Sequence, residues 1–288
     1  MPGFGRLTAL NNAYDAGQSW YSTWRKVPSS TTVAGNWFDL SMAPGNPRAN
    51  FYTGAELEAE AMYGVDTLGV ARGMNHGSPV APRRKFLHKL GVGSVSAGVG
   101  ASQFTVCDYL LFYPLIDMDA AGPQELIQTE TLPRYTDGVG VQAFVVATNP
   151  YVGGAPFQLT YTDTNDVVQT SQVLTSSVNT NISSIIHAST TVGAAGPFIP
   201  YFAGQTGIKD VQTIEFFSPN GGLATLVLCK PLATVGLREI TAYSETDFLS
   251  EIGTMPVIED NAFLGMLCKP SGSALSAPIY GELQTVWN

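Results

Sequence analysis

The sequence predicts an all-β protein, an antiparallel β-sandwich of jelly-roll-like topology carrying an extended, turn-rich N-terminal arm. Three observations carry that expectation. The chain of 288 residues holds 30 Gly and 18 Pro, a frequency suited to many short strands joined by turns. Hydrophobic residues make up 44% and charged residues 13%, which gives material for a large core and a surface poor in charge. From Phe86 onward, apolar runs of strand length recur between clusters of turn formers. The expected organisation is an arm and docking segment over 1–85, a sandwich core over 86–240, and C-terminal strands over 241–288.

Taken in order, Leu7–Asp15 reads as a short helix, followed by Trp20, Tyr21 and Trp24. Turn formers then dominate up to Pro47. Three of the four Trp (Trp20, Trp24, Trp37) fall in these first 50 residues, and large aromatics in such a segment suit docking on another surface. Strands of a larger β-domain are the other reading of 1–50. Residues 55–64, AELEAEAMYG, fit one to three helical turns or a strand with its acids in water. Residues 104–116, FTVCDYLLFYPLI, form a continuous apolar run, as in a strand buried on both faces. VGVQAFVVAT (139–148) is a second such run. FQLTYT (157–162) turns through DTND into VVQTSQV (167–173), an expected hairpin. VQTIEFF (211–217) and LATLVLCK (223–230) flank SPNGG, where Asn220-Gly221 supplies the residues a tight hairpin needs.

The tetrapeptide LCKP occurs at 228–231 and again at 267–270, and holds two of the three cysteines. Each copy reads as a strand end: an apolar strand, one exposed Lys, then a proline that cannot donate to the ladder. On this reading Cys229 and Cys268 are small buried hydrophobes. No CxxC, HxxxH or HxxE spacing links the cysteines with His76, His88 and His187, so no metal is expected. GVGSVSAGVG (91–100) has the glycine content of a phosphate loop without its spacing and reads as an inter-strand loop. No G-x-S-x-G elbow is present. Asp117 and Asp119 before Gly122 do not complete a calcium loop, and a solvated turn is the simpler reading. No catalytic residue and no cofactor are expected.

Charge is unevenly placed. Residues 1–100 carry nine Lys and Arg against six acids, a balance of +3. Residues 101–288 carry five against seventeen, a balance of −12, which gives the net −9. The acidic part is a poor partner for nucleic acid, whose affinity comes mostly from cations on phosphates. No apolar run reaches the roughly 20 residues that span a bilayer. The one basic cluster, RRKFLHK (83–89), holds Arg83, Arg84 and Lys85, and is a candidate contact with an acidic protein surface, together with Trp20, Trp24 and Trp37.

Three stretches resemble segments of structural proteins of tailed bacteriophages: GNWFDLSMAPGNP (35–47), YPLIDMDAAGPQELIQTETLPRYTDGVGVQAFVVATNP (113–150) and PFIPYFAGQTGIKDVQTIEFFSPNGGLATLVLCKPLA (197–233). They cover roughly a third of the chain. LPRYTDG and GIKDVQTIEF are specific, not generic β patterns. The resemblance implies a virion component without catalysis. The form favoured is a capsid decoration (cement) protein on the phage head, made in the host cytoplasm and bound to the major capsid protein. A homotrimer would match the local three-fold positions of capsid lattices. The alternative is a receptor- or glycan-binding module of a head fibre or tail, and a polysaccharide hydrolase is the most distant reading.

Overall fold

The computed structural model describes residues 4, 6–66, 68–95, 101–178, 181–189, 194, 196–239, 242–273 and 277–288. Its centre is built by the longest apolar runs. β6 (Gln103–Asp117) and β14 (Leu223–Gly236) pair antiparallel along their whole lengths. β8 (Gln142–Ala147), β12 (Ser184–Ser189), β2 (Asn36–Asp39) and β17 (Phe263–Lys269) complete a ring. The order β14-β8-β12-β2-β17-β6 closes on itself through the β6–β14 pairing, a six-stranded barrel without free edges. Alternation along each strand then sends one set of side chains inward. Trp37, Tyr109, Phe144, Ile185, Val227 and Phe263 belong to the cluster inside the barrel.

The opposite faces of the same strands are equally apolar, which is why the long runs show no alternation. They are covered by two flanking sheets. One comprises β15 (Ser244–Asp247), β5 (Lys85–Ser94), β18 (Ile279–Trp287), β1 (Ser19–Lys26) and β3 (Gly45–Asn46), with β16 (Val257–Ile258) also on β5. It packs Trp24, Leu90, Val92 and Leu283 against Phe104, Val106, Leu264 and Met266 of the barrel wall. The other centres on β9 (Pro156–Asp163), with β10 (Val168–Thr170), β11 (Leu174–Thr175) and β13 (Ile208–Phe216). Phe157, Leu159, Ile214 and Phe216 close over Tyr113, Val145, Leu226 and Leu228. Two short strands lie outside these layers: β4 (Glu60–Ala61) pairs with β6, and β7 (Gly122–Glu125) runs beside β13. The all-β, antiparallel, sandwich-like class is as the sequence predicts; ring closure at the centre is additional.

The helix α1 (Leu7–Asp15) has the predicted bounds. It lies over Phe86 and Val286 through Leu10 and Ala13. The β9–β10 hairpin is also as expected, with Asp163 Oδ1 accepting from the backbone N of Asn165 (2.7 Å) and Val167 (3.0 Å). The segment 55–64 takes the strand reading at β4.

Three expectations need correction. The strongest hairpin signal is not a hairpin: β13 pairs with β9, while β14 pairs with β6 and β8 in the barrel. SPNGG is a crossover between layers. Gly221 and Gly222 take φ values of 63° and 76°, and Asn220 is buried, with its Oδ1 accepting from Gly153 N at 2.8 Å. Secondly, LCKP ends a strand only in its second copy. β14 runs on through Pro231 to Gly236, and the missing N–H is absorbed where the register with β6 shifts between Pro231 and Ala233. Thirdly, residues 1–85 are extended and turn-rich, but they do not stand apart as an arm. β1 is bonded to β18 along eight residue pairs, and β2 is a barrel strand. The boundaries at 85 and 240 separate no packed units, because the barrel and the first flanking sheet draw strands from both sides of them.

Candidate functional site

The N-terminal tryptophans have different environments, although Trp20 and Trp24 share one face of β1. Trp24 points into the core beneath the flanking sheet and Trp37 into the barrel, at 3% and 2% exposure. Neither is available to a partner. Trp20 is 40% exposed and lies against Gly77. Arg83 and Arg84 are exposed beside Glu259 and Asp260 in a groove of 390 Å³, but Lys85 is turned inward. Its Nζ donates to His76 Nδ1 (3.1 Å) and Ser78 O (3.0 Å) and lies 3.4 Å from Asp260 Oδ1. A buried ammonium needs such partners, and burial lowers its pKa. Lys85 therefore secures the 76–85 loop and is not a contact residue.

Asp117 and Asp119 form the expected turn. Asp119 N donates to Asp117 Oδ1 at 2.9 Å, and Asp119 Oδ1 accepts from Gly221 N at 3.2 Å. Among the described residues no group of three His, Cys, Asp or Glu is placed to hold a metal ion, and no helix is long and apolar enough to cross a membrane. The three cysteines are buried free thiols. The glycine-rich stretch does not begin as the expected inter-strand loop: Gly91–Ser94 belong to β5, whose pairing with β18 they continue, and residues 96–100 lie outside the described residues.

Two buried polar clusters have the composition of catalytic sites. In the first, the Asp39 carboxylate accepts from Ser41 N (2.8 Å), Ser41 Oγ (2.8 Å), Tyr109 Oη (2.9 Å) and Tyr52 Oη (2.5 Å). Nearby, Lys26 Nζ donates to the carbonyls of Ser41 (3.1 Å), Ala43 (3.0 Å) and Arg48 (3.2 Å), and burial lowers its pKa to about 8. Burial pushes the Asp39 carboxyl up, against the pull of its hydroxyl and amide donors. The cavity next to Asp39 is only 10 Å³, space for about one water. No substrate can reach this carboxylate, so the cluster pins the 39–52 turn to the barrel. In the second, Arg134 of LPRYTDG is buried against Asp108, and its Nη2 also donates to the carbonyls of Met62 (3.0 Å) and Tyr109 (2.9 Å). That cluster closes one side of the barrel.

Two surface regions combine exposed apolar or aromatic side chains with a groove. The stretch 48–72 leaves Phe51 (67% exposed), Val65, Leu68 (86%) and Val70 uncovered. Phe51 lines a 390 Å³ groove between Arg48 and Arg72, and Arg48 Nη2 reaches Asp66 Oδ2 at 2.8 Å. The second region is the outer face of the first flanking sheet. A groove of 620 Å³ there is lined by Thr23, Arg25, Asn46, Tyr243, Tyr280 and Glu282, among others. The sequence analysis passed over both regions. The alternation of SWYSTWRK, with Trp24 and Lys26 inward and Tyr21, Thr23 and Arg25 outward, is the signal that marks the second.

The chain matches no protein-family model and no curated protein. Among solved structures, the infectious bursal disease virus VP2 subviral particle aligns with 94% of this chain and 80% of that one, at 8% identity and a TM-score of 0.18. A mutant VP2 of the same virus, in derived T=1 particles, aligns with 94% and 78% at 8% identity and a TM-score of 0.17. At those scores neither fold nor function follows from the likeness.

Proposed function

We propose that this chain is a non-enzymatic structural protein of a tailed-phage virion, a decoration (cement) protein. It binds the outer surface of the major capsid protein lattice as a homotrimer and stabilises the head. It needs no cofactor, nucleic acid or membrane. The observation that carries this reading is the set of exposed apolar side chains on 48–72: Phe51 in the groove between Arg48 and Arg72, and Val65, Leu68 and Val70 on the turn that Asp66 ties to Arg48. Large apolar side chains clustered on a surface mark a place where another protein sits. The stretch 48–72 carries Glu56, Glu58, Glu60 and Asp66 against Arg48 and Arg72, so the charge complementarity of the contact rests on the two guanidiniums beside Phe51, which would pair with acids of the partner. The contact expected at Trp24, Trp37 and Lys85 thus moves to Phe51, Leu68 and Arg72. Low overall charge and the sequence resemblance point the same way.

The test is reconstitution. Capsids lacking the chain are mixed with the purified protein, sedimented and imaged by cryo-electron microscopy. Stoichiometric copies at three-fold positions are expected, with greater resistance of the heads to heat. Failure to co-sediment with capsids would sink the assignment.

A further inference from the structure

The outer face of the first flanking sheet is a regular lattice of side chains. Register places Tyr280 of β18 between Gly93 of β5 and Arg25 of β1, and Glu282 between Gly91 and Thr23. Tyr243, just before β15, extends the first row, since Ser244 pairs with Val92. The two glycines form the floor. A Cβ at Gly91 would sit 2.0 Å from Tyr243 Oη, and one at Gly93 would sit 2.9 Å from the Tyr280 ring and 3.0 Å from that of Tyr243. The rings therefore lie directly on the β5 backbone and stack, with centroids 6.4 Å apart and planes 22° apart. Tyr21 and Tyr243 remain about half exposed.

The charges of this face are mostly spent on one another. Glu282 accepts from Tyr21 Oη at 2.5 Å, burial together with the Glu282 charge pushes the Tyr243 hydroxyl pKa up, and Lys89 Nζ holds Glu245 at 2.9 Å. Arg25 lines the groove and has no ion-pair partner among the described residues. The unspent charge in the groove is thus a guanidinium, which matches a carboxylate in fork geometry. Backbone groups of β5, β18 and β1 are consumed in the ladder, so an added peptide strand finds no main-chain partners on this face. What it offers is aromatic surface with polar tips, the Asn46 amide and, among the described residues, the Arg25 guanidinium without an acid partner. Its 620 Å³ lies within the ~300–1,000 Å³ typical of small-ligand sites.

We propose that this groove binds a carboxylate-bearing saccharide: pyranose rings lie along Tyr280 and Tyr243, and the carboxylate pairs with Arg25. This goes beyond the virion reading and does not depend on it. Oligogalacturonate and oligosialic acid supply the shared chemistry from two sources; maltohexaose is the neutral control and polyglutamate the acidic control without sugar. Titration calorimetry on the full chain is expected to give saturable binding of at least one acidic saccharide. Maltohexaose and polyglutamate should bind about tenfold more weakly or worse. Arg25→Ala, Tyr280→Ala and Gly91→Ala, which displaces the Tyr243 ring, should each lose about tenfold in affinity while melting near the parent temperature. The proposal is overturned if neither acidic saccharide binds, if a control binds as tightly, or if the folded variants keep full affinity.

Discussion

Arg134 grips the carboxylate of Asp108 with two nitrogens, Nε at 2.8 Å from Oδ2 and Nη2 at 2.6 Å from Oδ1, and both side chains are buried. Phe263 N adds a third donor to Asp108 Oδ1 at 3.0 Å, so the loop carrying LPRYTDG is tied to both β6 and β17. Removing one partner of such a pair strands a buried charge and costs about 3–5 kcal/mol. Arg134→Met should therefore lower the unfolding free energy by that amount in urea titrations. The double variant Arg134→Met, Asp108→Leu should recover a good part of it. A single variant within about 0.5 kcal/mol of the parent, the range of an ordinary surface change, would contradict this role.

His187 is fully buried on β12, with Nε2 donating to Pro197 O at 3.2 Å and Nδ1 without a partner among the described residues. Burial lowers its pKa from 6.5 to about 3. Its folded pKa lies below its unfolded value, so the stability it supports is present above about pH 6.5 and is lost as the pH falls toward 3. Each unit in that window costs about 1.4 kcal/mol. The His187→Gln variant keeps a donor for Pro197 and has no proton to gain. The stability difference between parent and variant should shift by about that amount per unit between pH 6 and 4. Measuring the difference cancels the other titrating groups, including Asp108, which burial raises to about 6 and which acts in the opposite sense. A difference independent of pH would show that His187 is charged when folded.

Cys229 and Cys268 occupy the same tetrapeptide yet face opposite sides of the barrel wall, Cys229 inside with Cys107 and Cys268 outside under the flanking sheet. Burial pushes both thiols up. Each Ser substitution should cost about 1–3 kcal/mol, the penalty of a poorly satisfied buried hydroxyl. Alkylating reagents should modify neither thiol until the protein unfolds, as mass spectrometry of native and denatured samples can determine. Rapid labelling of the native chain would refute their burial.

The same tetrapeptide marks how far the sequence could be read. Burial of its cysteines follows from apolar neighbours and is a local property. Whether Pro231 ends a strand depends on a bulge opposite Cys107, which only the pairing with β6 creates. Likewise, Asn220-Gly221 announces a reversal, but not that the reversal joins two different layers. Trp24 and Trp37 look like docking residues because their segment is rich in turns; their strands are held by β18 and β17, from the far end of the chain. The saccharide groove has the same origin, since Tyr21, Tyr243 and Tyr280 are distant in sequence and adjacent only through register. Local pattern thus gave the β class, α1 and the β9–β10 hairpin, while long-range pairing decided closure and site.

Leu68 and Phe51 separate the capsid assignment from fold stability. Both side chains are largely in solvent, so Leu68→Glu and Phe51→Ser remove little buried area from the chain itself, and changes within about 0.5 kcal/mol are expected. On a capsid the same positions would be covered, and an introduced carboxylate beside an acidic surface would be both desolvated and repelled. The double variant should melt with the parent but lose at least about tenfold in capsid affinity in sedimentation assays. Arg72→Glu should add to the loss and weaken its dependence on salt, because Arg72 has no acid partner among the described residues to compensate its charge. Full capsid binding by the folded double variant would remove these side chains from the interface.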